Sequence, residues 1–598
     1  MKHRRIFALL IMLVMLAGLA GCSGGSDGKQ TETQTETKGH NGLIDDDPYE
    51  GTDSEKFDAY CLDCFLNDVY ADRLDLHYFL KDPSAYDMEL ADPGFGELDM
   101  STWNDERDQL LDELAYLRHL DYDALTDMQK VDYDVIVAYY EDMIGLYDMP
   151  YYQEMLDSVS GIQAELPILL AEYAFYGQQD VEDYLVLLDN VDDYFEKIMK
   201  YEREKSEAGL FMPDALVDRV VKQCSDFIAD PDSNLLIEVF PDKLDELGDQ
   251  ISSDDRARYI EKNNELVRNV VIPAYQSLID GLTALKGTAK NQGGLAGLPK
   301  GKQYYIYLLR SSIGTDKSPE ELAALIEERI KQDLNEVSSV VMEDPDLYFE
   351  IQDVKYAHTD PEETLEYLKT AMLDRFPAAA DAQYTIKYVH KSLEESLSPA
   401  FYLQCCFDDY KNNLIFFNNS SNYTPETRFP VVAHEGYPGH LYQTTFLLST
   451  DPNPYRYLLS FPGYMEGWAE YVQKISYSYG GISEKAARLL ALDEEFALLI
   501  YCRIDIGIHY EGWSKDDVQK YLKNYGIEGD DIIDQIYYPV LERPTDYLEY
   551  GIGSIEWEEL KAMAQEGLGE NFDEVDFHKY MLTLGKGQYF ILRNYVEK

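Results

Sequence analysis

Apolar residues recur every three to four positions along most of this chain. The period holds near 53–81, 104–147, 162–176, 179–208, 213–230 and 252–285, which predicts a mainly α-helical body. Start signals agree with it. Ser252 with Asp255, Ser318-Pro319 with Glu321, and Ser514 with Asp517 each open a helical run. Two stretches break the pattern and read as strands: Tyr384 to Val389 alternates, and Leu414 to Phe417 is short and apolar between asparagines. Lys286 to Lys302 carries five glycines and Pro299. That segment reads as a joint between an N-terminal helical half, 51–298, and a C-terminal half, 299–598. A chain of this length buries a sizeable core.

The first residues follow another pattern. Met1-Lys2-His3-Arg4-Arg5 is basic, Ile6 to Ala20 is apolar, and Leu19-Ala20-Gly21-Cys22 follows. The run is short of the roughly 20 apolar residues of a membrane span. It predicts a lipoprotein signal peptide over 1–21, with Cys22 as the lipidated first residue of the mature chain. Residues 22–50 are polar and without hydrophobic period, as in a solvated tether. The expected place is the extracytoplasmic face of a bacterial membrane, reached only through the lipid.

Charge narrows the partners. The formal net charge is −62, and loss of Lys2, Arg4 and Arg5 with the leader makes it −65. Such a surface argues against nucleic acid and against binding anionic lipid directly. The 50 tyrosines are scattered, as half-buried packing would have them. Cys61, Cys64, Cys224, Cys405, Cys406 and Cys502 remain after Cys22, too few to hold a fold of this size by disulfides. Cys61-Leu62-Asp63-Cys64 has redox spacing but lies in a helical run without a partner pair, so it reads as core packing or a local disulfide.

The chemistry concentrates in Val431-Val432-Ala433-His434-Glu435-Gly436-Tyr437-Pro438-Gly439-His440. A His-Glu pair on a helix with a second His downstream is a zinc-hydrolase pattern. Here the second His stands at i+6, about 120° and 9 Å out of line on a regular helix. Both nitrogens must come within about 2.1 Å of one ion. Pro438 cannot donate to the carbonyl of His434, and Gly436 and Gly439 tolerate a turn, so the helix is expected to open between the histidines. Downstream, Glu466 and Glu470 share a helix face, and either carboxylate can complete a metal site. The competing reading is a surface His-Glu pair with an unrelated His. The two strands are expected beside this helix as a small sheet, with an edge for an extended substrate.

His434-Glu435, Pro438-Gly439-His440, Gln443 and Glu466-Gly467-Trp468-Ala469 resemble, in this order, the bacterial family catalogued as domain of unknown function 885. Further matches are Ser398-Pro399-Ala400-Phe401-Tyr402, Phe416-Phe417-Asn418, Arg503 to His509, Gly512-Trp513-Ser514, Arg543-Pro544 and Tyr550-Gly551-Ile552-Gly553. The clear matches span roughly 300–598. One departure is Leu441, where the family often carries a further His. The family in turn resembles the gluzincins, zinc metallopeptidases whose third ligand is glutamate.

The resemblance implies two halves around a deep cleft. It implies zinc held by His434, His440 and Glu466, with Glu435 as general base. Tyr550 and His509 become candidates for the oxyanion donor, because the resembling peptidases use Tyr and His there. The residues leave other roles open. Tyr550 can be a packed tyrosine, and His509 can bond Asp505 at i,i+4. Asp505 can orient a ligand, and Arg503 and Arg543 can bind a substrate carboxylate or form structural ion pairs. The expected function is zinc-dependent hydrolysis of peptides. A metal-dependent amidohydrolase on a cell-wall or other non-peptide amide is the alternative, and a non-catalytic binding lipoprotein a third. The intact Glu435 disfavours the last, since binding alone needs no base beside the metal.

Overall fold

The computed structural model describes residues 47–596 apart from 87, 97, 353, 392, 393, 395–397 and 421–424. Cys22 and its leader lie outside the described residues. The fold is mainly α-helical, with one three-stranded sheet. Among the described residues no helix is long and apolar enough to cross a membrane.

The periodic segments are helical, with breaks where local chemistry offers the backbone an alternative. The first divides into Asp53–Ala71 and Arg73–Phe79 because the Asp72 side chain accepts from the N–H groups of Leu74 and Asp75. The second divides into Trp103–Leu117 and Asp127–Leu146, the latter opened by a reciprocal Thr126–Gln129 cap. The 252–285 segment stays helical through a wide turn at Val267–Val271, just before Pro273, which has no N–H to continue the regular ladder. Ser252, Ser318 and Ser514 cap their helices as expected.

The sheet contains both expected strands and one more. β1 is Gln383–Tyr388, β2 Ala400–Leu403 and β3 Asn412–Phe417. Their order is β1-β3-β2, with β1 parallel and β2 antiparallel to β3. β2 therefore forms an edge, and it packs on the helix Pro425–Glu435.

Two large apolar clusters make the core. One joins helices between Met155 and Ile330 to Leu499–Ile555, and the other joins Phe57–Tyr140 to Val354–Tyr595. Both clusters therefore take side chains from either side of the glycine-rich joint. The joint packs closely: a Cβ on Gly294 would sit 2.5 Å from the Ile508 side chain, and one on Gly301 only 1.6 Å from the Leu295 carbonyl oxygen. The six described cysteines are free, and Cys61 is buried in the second cluster.

Candidate metal centre

The helix Pro425–Glu435 carries His434 at its end, and the next helix, His440–Leu448, begins on His440. Between them the regular ladder stops. The N–H of Gly439 donates to Ala433 O at 3.0 Å, and that of Tyr442 to Gly436 O at 3.1 Å, each six residues back. The helix thus opens where Pro438 and its glycines lead one to expect. Gly439 is required by space, because a Cβ there would lie 1.7 Å from the carbonyl oxygen of His434. The loop is pinned from the other side: Trp468 Nε1 donates to Pro438 O at 2.9 Å.

Trp468 lies on the helix Pro462–Ser476, two residues beyond Glu466. This helix crosses Asp546–Leu568 at glycines. A Cβ on Gly467 would meet Gly553 backbone carbon at 2.4 Å, and one on Gly553 would meet Gly463 O at 2.3 Å. Tyr589 ties the crossing, its hydroxyl donating to Gly463 O and Gly553 O. The close approach brings the Tyr550 ring to 6.3 Å from the His434 ring, nearly parallel to it.

Three side chains converge there. His434 Nε2 and His440 Nε2 are 3.2 Å apart, and Glu466 Oε2 lies 3.7 and 3.6 Å from them. All three are buried. Glu466 Oε2 has no hydrogen-bond partner, although it is buried. Ligand atoms about 2.1 Å from a tetrahedral ion stand roughly 3.4 Å from one another. The spacing and the imidazole and carboxylate donors therefore fit zinc. Burial opposes ionisation of Glu466, but the facing imidazoles outweigh it and hold the carboxyl below its usual value. Glu470 lies outside this group. Burial, with Glu494 nearby, drives its carboxyl well above the usual range.

Glu435 is buried beside the triad. Its Oε2 accepts from the N–H of Tyr402 on β2 at 2.9 Å, while Oε1 is buried and unpartnered. Burial pushes its carboxyl up to about 7, against the pull of His434. The Tyr402 contact has no counterpart in the sequence reading. Its only trace there is the motif Ser398 to Tyr402.

The other candidates are placed differently. His509 sits in a wide turn, Gly507–Glu511, with Nδ1 accepting from Leu295 N–H at 3.2 Å and Nε2 facing Val540 O at 2.8 Å. Burial lowers its pKa to about 4. This neutral ring has both nitrogens engaged by backbone and no N–H left for an oxyanion. Asp505 is not its partner: it accepts from Tyr305 Oη at 2.6 Å and from Thr545 N at 2.9 Å. Arg503 pairs with Glu327 and Glu511 and lies over Trp513. Arg543 pairs with Asp546 at 2.9 Å.

The model of a bacterial family of proteins of unknown function, DUF885, matches residues 90–596. The chain belongs to this family. The match begins some two hundred residues before residue 300, where the sequence motifs become clear. A candidate lipoprotein from Colwellia psychrerythraea has a similar solved structure, with a TM-score of 0.78 and 17% identity over 91% of this chain and 98% of that one. A candidate lipoprotein of unknown function from Shewanella oneidensis gives 0.62 and 14% over 91% and 100%. At these identities the likeness shows a shared fold. None of the curated proteins compared matches the chain.

Proposed function

We propose that this DUF885 protein is a zinc-dependent peptidase, tethered through lipidated Cys22 to the outer face of a bacterial membrane. The observation that carries the reading is the buried triad of His434, His440 and Glu466 with the unpartnered Oε1 of Glu435 beside it. Glu466 Oε2 and Glu435 Oε1 are both buried without a hydrogen-bond partner, which supports the reading because buried polar atoms are ordinarily paired. The lipoprotein descriptions of the two structural neighbours support the anchor.

His434 Nε2, His440 Nε2 and Glu466 Oε2 would hold the ion. Zinc supplies Lewis-acid chemistry there, acidifying water and polarising a carbonyl. The chain's own groups do the rest. Tyr402 N–H fixes one oxygen of Glu435, which leaves Oε1 to take the proton of the attacking water and deliver it to the leaving amine. The Tyr550 hydroxyl, carried beside His434, donates to the oxyanion that forms on the carbonyl. His509, its nitrogens engaged elsewhere, fixes the glycine-rich joint against the C-terminal helices. The edge strand β2, next to Glu435, offers backbone groups to an extended peptide.

Metal analysis of the purified mature chain, with cleavage of a mixed peptide library, tests the proposal. One zinc per chain and cleavage lost on chelation and regained with zinc are expected. A zinc-loaded protein inactive on a broad library would overturn the peptidase reading.

A further inference from the structure

A cavity of about 330 Å³ has walls on the helices Ile162–Glu172 and Asp546–Leu568, the second of which also carries Tyr550. Asp157, Glu165, Arg543, Asp546 and Glu549 are among its walls. Glu549 immediately precedes Tyr550, whose ring faces His434, and Glu466 is among the charges felt by both Asp546 and Glu549.

Acidic side chains outnumber basic ones on its walls, and the Arg543 charge is felt by Glu165 and Glu549 as well as by Asp546. Arg543 is already paired with Asp546 at 2.9 Å. Asp157 holds the turn before the helix Ile162–Glu172 by accepting from Val159 N and Ser160 N, both at 2.7 Å. Glu165 stands on that helix, 5% exposed, and its Oε1 is buried with no hydrogen-bond partner. Glu549 is 7% exposed. Among the described residues, no ion pair joins Asp157, Glu165 or Glu549 to a lysine or arginine. Burial drives the carboxyls of Glu165 and Glu549 well above their usual range, with Arg543 opposing, so a cation entering the cavity would favour their ionised form.

We infer that this cavity receives an alkylammonium group of the substrate, held between Glu165 and Glu549, so that the protein selects peptides carrying a positive charge close to the cleaved bond. Glu165 supplies a carboxyl from the helix Ile162–Glu172 and Glu549 one from the helix that carries Tyr550. The volume admits a lysine side chain or an amino terminus with its first residue. Both present the same ammonium. The choice of substrate rests on the peptidase reading, while binding of the ammonium does not.

Three peptides separate the sources, their binding measured by calorimetry on the mature Glu435→Gln chain, in which turnover is suppressed. Ala-Ala-Ala-amide offers only an amino-terminal ammonium. N-acetyl-Ala-Lys-Ala-amide offers only a side-chain ammonium, and N-acetyl-Ala-norleucine-Ala-amide offers none. One of the charged peptides should bind at least about ten-fold tighter than the norleucine peptide, the scale of a single buried charge contact. In Glu165→Gln the advantage should shrink to within about two-fold, and in Glu549→Gln it should shrink as well. Glu570→Gln, at an exposed position, serves as the surface-charge control and should leave it intact. Equal binding of all three peptides, which needs no variant to fold, would overturn the inference, as would an advantage that survives both substitutions. Cleavage of neutral and charged peptides alike by the parent chain would overturn this inference and leave the peptidase reading standing. A charge advantage in binding without any cleavage would support it while removing the peptidase reading.

Discussion

The backbone N–H of Tyr402 donates to Oε2 of Glu435 at 2.9 Å and leaves Oε1 of the same carboxylate without a partner. A strand edge thus fixes the orientation of a buried acid at the end of a helix. The arrangement keeps one oxygen committed and the other available, as a general base beside a metal requires. Because the donor is a backbone group, it survives substitution of the Tyr402 side chain.

Glu435→Gln preserves size and the acceptor facing Tyr402, but removes the base. The variant should fold and hold zinc close to the parent's stoichiometry. Its peptidase rate should fall by about 10²- to 10⁴-fold, the usual contribution of a positioned general base. Steady-state cleavage alongside metal analysis checks this, and full activity in the variant would reject Glu435 as the base.

Ligand loss should look different. His440→Ala and Glu466→Ala each remove one corner of the triad, so zinc and activity should disappear together. Glu470→Ala, one turn further along the same helix, should leave zinc affinity nearer the parent's. A competition titration with a chromogenic chelator ranks the three, and stronger zinc loss in Glu470→Ala than in Glu466→Ala would reassign the third ligand.

How much of this was legible in the sequence depends on whether a group announces itself by residue type. The two histidines, the opening at Pro438 and the downstream carboxylates are spelled in one short stretch and one helix, although spacing alone left Glu466 and Glu470 as alternatives. Tyr402 is different. Its strand is four residues long, too short for alternation to show, and its working group is a backbone N–H common to every residue type but proline. The position of His509 was equally hidden. Its two partners, Leu295 and Val540, stand 214 and 31 residues away, and both bonds use backbone atoms that carry no side-chain signature. The helical body was legible because periodicity repeats over many turns. Its breaks at Asp72 and Asn190 were not, because a single capping or irregular residue weighs little in a long window.

The proposed anchor at Cys22 makes a prediction about location. Cys22→Ala should move the protein from the membrane fraction to the soluble one in cell fractionation, since one lipidated residue and a polar tether are the only expected attachment. Equal membrane retention of both forms would reject the anchor.

Glu202 carries a stability prediction. It is fully buried and neither carboxylate oxygen has a hydrogen-bond partner. Burial raises its pKa from 4.5 to about 8, with Lys205 opposing the shift. The folded state therefore binds this proton more tightly than the unfolded state does. The group's contribution is fully present below about pH 4.5 and is lost as the pH rises through about 8. Urea midpoints of the parent should fall between pH 6 and pH 9, and Glu202→Gln should flatten that fall. An unchanged slope in the variant would show that Glu202 ionises without penalty.

The last prediction concerns the opened helix. A methyl group on residue 439 would stand 1.7 Å from the carbonyl oxygen of His434. No rotamer change relieves a clash between Cβ and backbone, so the loop itself must move. That loop is held on its far side by the bond from Trp468 to Pro438, and it delivers His440 to the triad. Gly439→Ala should therefore cost about 3 kcal/mol or more, at the upper end of overpacking effects, and should weaken zinc binding even though no ligand has changed. Gly145→Ala is the natural contrast: it lies in the helix Asp127–Leu146, is exposed, and has nothing within 4 Å of its added methyl group. It should stabilise by up to about 1 kcal/mol and leave zinc untouched. Chemical denaturation and zinc competition on both variants measure the two effects together. If Gly439→Ala matches the parent in both, the tight turn does not set the position of His440, and the spacing of the two histidines must be achieved by another part of the fold.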